Sequence, residues 1–246
     1  MLLGLGDAAL QLLLPRHCAS CDAALGDHES GIVCGTCWAR VVPLPQPQCL
    51  RCGHPRPPRG ACPVCALLPP YVRALRSYCW VPQSASSGIL SALKYEGWPL
   101  VADEMAARML RLSWPADVLR ERAALVPVPL AATKQRARGY NQAERLAQRM
   151  AAAWGVPVWH DVLGRARATP SQTALTRGER LANVHRAFVC ADFAPSQITG
   201  RHLILVDDVF TTGATLNACA AALFEAGART LSYLTFGRAR TAADRL

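Results

Sequence analysis

The chain has 246 residues, 51% hydrophobic and 18% charged, which excludes wholesale disorder and leaves ample apolar surface for a core. No run approaches the roughly 20 apolar residues of a membrane span, so the chain reads as cytoplasmic and globular. The net charge of +10 is uneven: residues 131–186 hold ten bases against three acids, while residues 1–70 hold five against four. A positive field concentrated in one stretch points to a polyanionic partner, either nucleic acid or a phosphorylated metabolite.

Met1 to Pro15 is apolar, without a basic start or a small-residue cleavage site, and reads as a short amphipathic helix rather than a signal peptide. Four C-x-x-C pairs follow: Cys18/Cys21, Cys34/Cys37, Cys49/Cys52 and Cys62/Cys65. Two thiolates three positions apart can sit on one knuckle with both sulfurs aimed at a tetrahedral ion, with Gly35 and Gly53 easing the turns. Two pairs per ion give two structural zinc sites, paired in sequence or crossed. Zinc would supply the fold of this Pro-rich segment, and a fully thiolate shell leaves no open coordination position. His17 and His54 lie beside the knuckles as substitute ligands that eight thiolates make unnecessary, and Cys79, Cys190 and Cys219 read as core residues.

Beyond a Pro-rich hinge at Pro69 and Pro70, strands and helices alternate. Leu125 to Pro129 is a short apolar run. Asn141 caps a helix with Glu144 three residues on, Ala143, Leu146, Ala147 and Met150 line one face, and Gly155 ends it. Val156 to Trp159 and Ala187 to Cys190 read as strands, separated by a long basic connection over 164–183. Leu203 to Val206 is a strand buried on both faces, followed by a helix over Leu216–Ala226 and a strand over Thr230–Phe236. The alternation predicts an α/β fold with a mainly parallel sheet. The division is a zinc module over 1–70, including the N-terminal helix, and an α/β domain over 71–246.

The chemistry concentrates in residues 203–215. The strand delivers Asp207 and Asp208 to its carboxyl end, where open α/β sheets place ligands. Thr211, Thr212 and Thr215 offer hydroxyls, Gly213 and Ala214 let the backbone wrap an anion, and the following helix aims free N–H groups at it. Carboxylates suit sugar hydroxyls and Mg²⁺, and the loop suits a phosphate, so the implied ligand is a phosphorylated sugar. A nucleotide hydrolase would need a G-x-x-x-x-G-K-S/T loop, which the chain lacks.

Residues 203–215 resemble the phosphoribosyl-pyrophosphate (PRPP) signature of type I phosphoribosyltransferases, and the chain as a whole resembles the ComF competence family, in which a double zinc ribbon precedes such a domain. Leu93–Gly97 resembles that family's Lys-Tyr-x-Gly segment. Val126–Leu130 with Arg136, Arg138, Gly139, Tyr140, Asn141, Gln142, Ala143 and Glu144 resembles its pyrophosphate-loop region. Arg165, Arg167, Thr169, Gln172, Arg180, Asn183 and Phe188 resemble its mobile loop. The resemblance implies that Asp207 and Asp208 hold the ribose hydroxyls and help place Mg²⁺, that Thr211 to Thr215 cradle the 5′-phosphate, and that Arg136, Arg138 and Gly139 face pyrophosphate. Asp207, Asp208, Arg138, Arg165 and Arg167 are the catalytic candidates, the last two on a lid, and Lys94, Tyr95 and Gln172 are secondary ones. The implied activity is transfer of the ribosyl phosphate to an acceptor. The alternative is a DNA-uptake module contacting single-stranded DNA or uptake proteins, with PRPP as a regulatory ligand.

Overall fold

A computed structural model describes residues 16–26, 28–29, 31–55, 62–95, 100–165 and 187–240. The N-terminal helix expected over Met1–Pro15 and most of the basic connection lie outside them. After a short helix, α1 (Gly35–Ala39), and a 3₁₀ turn (Pro63–Leu67), the order is β1 (Val72–Val81), α2 (Ser84–Tyr95), α3 (Val101–Met109), α4 (Ala116–Glu121) and β2 (Arg122–Pro127). Then come α5 (Ala132–Arg138), α6 (Gln142–Trp154), β3 (Leu163–Arg165), β4 (Phe188–Cys190), α7 (Ala194–Ile198), β5 (His202–Phe210), α8 (Ala214–Glu225) and β6 (Thr230–Ala239). The main sheet runs β1-β6-β5-β2 and every pairing in it is parallel, while β3 and β4 form a separate antiparallel ribbon.

The period of two in the central strands sorts side chains onto two faces. Ile204, Val206, Leu234 and Phe236 pack with Leu93, Met105, Leu146 and Met150 of α2, α3 and α6. Leu203, Leu205, Leu231 and Tyr233 pack with Leu216, Cys219 and Leu223 of α8 on the other face. The expected capping of α6 is observed: Asn141 Oδ1 accepts the Ala143 N–H at 3.0 Å, and Gly155 (φ 63°) ends the helix.

Several boundaries differ from expectation. Val156–Trp159 is not a full strand but a single bridge, Val158 to Leu125, which covers the outer edge of β2. Arg165 sits on the β3–β4 ribbon, its guanidinium 5.4 Å from the Phe188 ring, rather than on an irregular loop. The helix after the threonine loop starts at Ala214, two residues early, and β5 runs through both aspartates to Phe210.

The cysteine-rich segment is docked against the sheet at several points. Residues 42–44 lie antiparallel along the free edge of β1, with Leu44 N–H to Tyr78 C=O at 3.0 Å and Trp80 N–H to Val42 C=O at 3.1 Å, which closes that edge. Cys18, Cys34, Cys37 and Val41 join the core on the α2, α3 and α6 face, and Cys52, Val64 and Leu68 join the core on the α8 face. The two knuckles therefore pack on opposite faces of one sheet.

Candidate functional site

The cysteines gather as two sets, Cys18/Cys21/Cys34/Cys37 and Cys49/Cys52/Cys62/Cys65, each with its sulfurs within 4.8 Å of one another. Pairing is thus sequential and not crossed. Sγ separations of 3.9 Å (Cys18–Cys37, Cys21–Cys34), 3.5 Å (Cys49–Cys65) and 3.3 Å (Cys52–Cys62) bracket the roughly 3.8 Å edge of a tetrahedron with ~2.3 Å Zn–S bonds. An all-thiolate set of this size suits zinc, and both sites are zinc sites of the structural type. Burial pushes the Cys37 thiol up to about 12. At Cys18 burial opposes ionisation too, yet N–H groups of Cys34 and Ser20 bring the thiol down to about 7. Gly53 (φ 62°) is required at the second knuckle, since a Cβ there would lie 2.7 Å from the Leu75 carbonyl of β1. Gly35 is not a turn glycine; it opens α1, and its N–H donates to Glu29. His17 bonds the Asp22 carbonyl and His54 packs edge-on against Trp80, so neither completes a cysteine set.

Polar groups of the α/β domain hold both knuckles. Glu104 on α3 accepts from Trp38 Nε1 at 2.6 Å and Ile32 N–H at 2.7 Å at the first. At the second, Arg76 of β1 donates to the Leu50 and Arg51 carbonyls, and Arg238 of β6 donates to the Cys52 carbonyl at 2.5 Å. Arg238 is 1% exposed, and burial lowers its guanidinium to about 10. Four thiolates around one divalent ion leave a net double negative charge, and these two buried arginines are suited to balance it.

The second candidate site lies at the carboxyl ends of β5 and β2. Asp207 Oδ1 accepts the Asp208 N–H at 2.8 Å, which brings the Asp207 carboxyl back over the next residue of the strand. Burial, then the neighbouring Asp208, raises the Asp207 carboxyl well above the usual carboxylate range. Asp208 Oδ2 forms an ion pair with Lys94 Nζ from the last turn of α2. Past the strand, Thr211 and Thr212 are exposed, and the chain turns through Gly213 (φ 79°) into α8. A Cβ at Gly213 would meet the Phe210 ring at 2.9 Å, so sterics and backbone both demand glycine. Ala214 and Thr215 lie in the first turn of α8, where backbone N–H groups lack helical partners. Asn217, one turn on, donates to Leu67 C=O at 2.8 Å and accepts from Tyr233 Oη at 3.0 Å, tying the loop to the second knuckle.

The arginines follow the neighbouring strand, β2. Val128 N–H donates to Val206 C=O at 2.9 Å, which carries β2 alongside β5 to the residue before the acidic pair. Arg136 and Arg138 follow on α5, which ends at Gly139 (φ 77°); Arg138 donates to Gln142 at 2.9 Å. Arg136 and Arg165 line a cavity of about 600 Å³ together with Asn141, Glu144 and His160, a size suited to a small ligand. The aspartates and Thr211–Thr215 are not among its lining residues. Arg167, Thr169, Gln172, Arg180 and Asn183 lie outside the described residues, as do Glu96 and Gly97. The sequence marked Lys94 only weakly; its contact with Asp208 joins residues 114 apart, which no local pattern shows.

Residues 9–66 match the family model described as a double zinc ribbon domain. The chain is 31% identical over 230 residues to the DNA utilization protein YhgH of Salmonella typhi, covering 89% of this chain and 96% of that one. It is 34% identical over 116 residues to Competence protein F of Haemophilus influenzae, 47% of this chain and 50% of that protein. Competence protein ComFC of Bacillus subtilis matches at 34% over 103 residues, 42% of this chain and 39% of its own. Among solved structures, a glutamine PRPP amidotransferase from B. subtilis aligns with 54% of this chain and 25% of its own at 18% identity and a TM-score of 0.35. A hypoxanthine phosphoribosyltransferase from Staphylococcus aureus aligns with 60% of this chain and 75% of its own at 12% identity and 0.33. Likeness at that level is too loose to bear on chemistry. No helix among the described residues is long and apolar enough to cross a membrane.

Proposed function

This chain belongs to the ComF competence family, and from that premise we propose that it is a PRPP- and Mg²⁺-dependent phosphoribosyltransferase. One observation carries the proposal: a strand carrying two successive aspartates near its carboxyl end runs through a threonine-rich turn, closed by a left-handed glycine, into the N-terminus of α8. That is a site with acceptors for sugar hydroxyls on one side and donors for a phosphate on the other.

In this account Asp207 and Asp208 accept hydrogen bonds from the ribose hydroxyls. Backbone N–H groups and hydroxyls of Thr211 to Thr215 donate to the 5′-phosphate. Arg136, Arg138 and the Gly139 backbone face the pyrophosphate, and Arg165 adds its charge from the end of β3. The acceptor attacks the anomeric carbon as its bond to the pyrophosphate oxygen breaks, through an oxocarbenium-like state. The two carboxyls suit Mg²⁺, which when bound would neutralise charge on the departing pyrophosphate. Cationic side chains on several elements do the remaining work by stabilising that charge.

Relatives named for competence and DNA utilization favour a second reading, a DNA-uptake module whose zinc ribbons contact single-stranded DNA or partner proteins and for which PRPP is only a regulatory ligand. Phosphate-backbone binding would weaken steeply with salt. The thermal melt of the zinc-loaded protein tests the first reading. At about 100 times its dissociation constant, PRPP with Mg²⁺ adds roughly 2.7 kcal/mol. That raises the transition by about 5–10 °C in the parent and not in an Asp207→Asn/Asp208→Asn variant. An equal shift in both proteins, or none in the parent, rejects the site.

A further inference from the structure

The end of α2 is pinned from two sides. Lys94 Nζ pairs with Asp208 on β5, and the Leu93 carbonyl accepts the Tyr140 hydroxyl from the segment joining α5 to α6. The Lys94 side chain is 24% exposed and that of Asp208 10%, so water screens the pair poorly. An ammonium in the last turn of a helix is also favoured by the helix dipole. Two successive aspartates near the carboxyl end of a strand would otherwise offer hard oxygen ligands to any divalent cation in solution.

We infer that Lys94 is the built-in counter-ion of the acidic pair: it holds Asp208 in the site and opposes capture of a divalent cation by the pair alone. The inference rests on the sugar-phosphate reading of residues 207–215. Lys94 is a positioning residue with two opposite effects. It weakens binding of a bare cation, and it strengthens binding of a ligand whose own phosphates are anionic. A residue that merely stabilised the fold would move both affinities the same way.

The experiment titrates Mn²⁺ alone, by calorimetry and by the loss of its free electron-spin signal, into zinc-loaded full-length parent, Lys94→Met, Lys94→Gln and Lys94→Arg. The soft thiolate sites hold zinc against Mn²⁺. A unit charge at contact distance is worth more than a factor of ten even at an effective dielectric constant of about 20, so tenfold is the floor expected. Lys94→Met binds Mn²⁺ at least about tenfold more tightly than the parent, Lys94→Arg matches the parent, and adding Asp208→Asn to Lys94→Met abolishes the gain. In a parallel titration of PRPP with Mg²⁺, Lys94→Met binds about tenfold more weakly. Lys94→Gln keeps a polar head and follows the same directions should the methionine variant fail to fold. Unchanged or weaker Mn²⁺ binding in the neutral variants overturns the inference. Absence of PRPP binding by the parent defeats the proposed function instead, and the Mn²⁺ comparison still reads Lys94.

Discussion

Replacing Arg238 by methionine removes a charge from the inside of the protein while keeping its volume. The guanidinium is 1% exposed, bonds the Cys52 carbonyl at 2.5 Å and lies 5.5 Å from the Phe210 ring. Methionine retains packing against Phe210 but leaves the Cys52 carbonyl without this donor and the second thiolate cluster without one of its two buried counter-charges. Removing one partner from a buried charge pair costs about 3–5 kcal/mol. At roughly 2–4 °C per kcal/mol, the α/β transition falls by about 6–20 °C. Because Arg238 touches only the second knuckle, the damage is selective. Challenged with a chromophoric chelator, the variant gives up one zinc equivalent readily and holds the other as the parent does. An unaltered melt, or loss of both equivalents together, would refute the charge balance assigned to Arg76 and Arg238.

Asp207→Asn abolishes PRPP binding yet stabilises the ligand-free protein near neutral pH. A carboxyl raised on folding contributes stability below its unfolded value and loses it as pH climbs through the raised one, so parent and variant melts diverge upward from the ordinary carboxylate range. Gly213→Ala imposes a left-handed backbone on alanine and drives its Cβ against Phe210; we expect a loss of about 1–3 kcal/mol by denaturant unfolding and weaker PRPP binding. Glu104→Ala strips two hydrogen bonds from the first knuckle, costing about 1–3 kcal/mol, and Trp38 fluorescence reports the change while the second zinc equivalent is unaffected.

The zinc centres and the turn between β5 and α8 were legible because local spacing encodes them: paired cysteines make a knuckle, and a buried apolar run followed by threonines and glycine makes a strand, a turn and a helix start. The parallel sheet followed from the same alternation. β1 was not legible, because Arg73, Arg76 and Ser77 interrupt its apolar pattern, and their partners come from elsewhere: Arg73 pairs with Asp117, Arg76 caps the second knuckle, and Ser77 bonds Thr235. The burial of Arg238 depends in the same way on carbonyls near position 52. The Lys94–Asp208 pair and the link from Asn217 to Leu67 are tertiary contacts that periodicity cannot register. Sequential pairing of the cysteines was left open by spacing and is decided by which sulfurs meet.

Calorimetric titration of PRPP into zinc-loaded protein with excess Mg²⁺ reads whether residues 207–215 bind a phosphorylated sugar. One site per chain is expected in the parent and no heat beyond dilution in Asp207→Asn/Asp208→Asn. Equal binding by both proteins would place the ligand elsewhere, and no binding by either would contradict the claim outright.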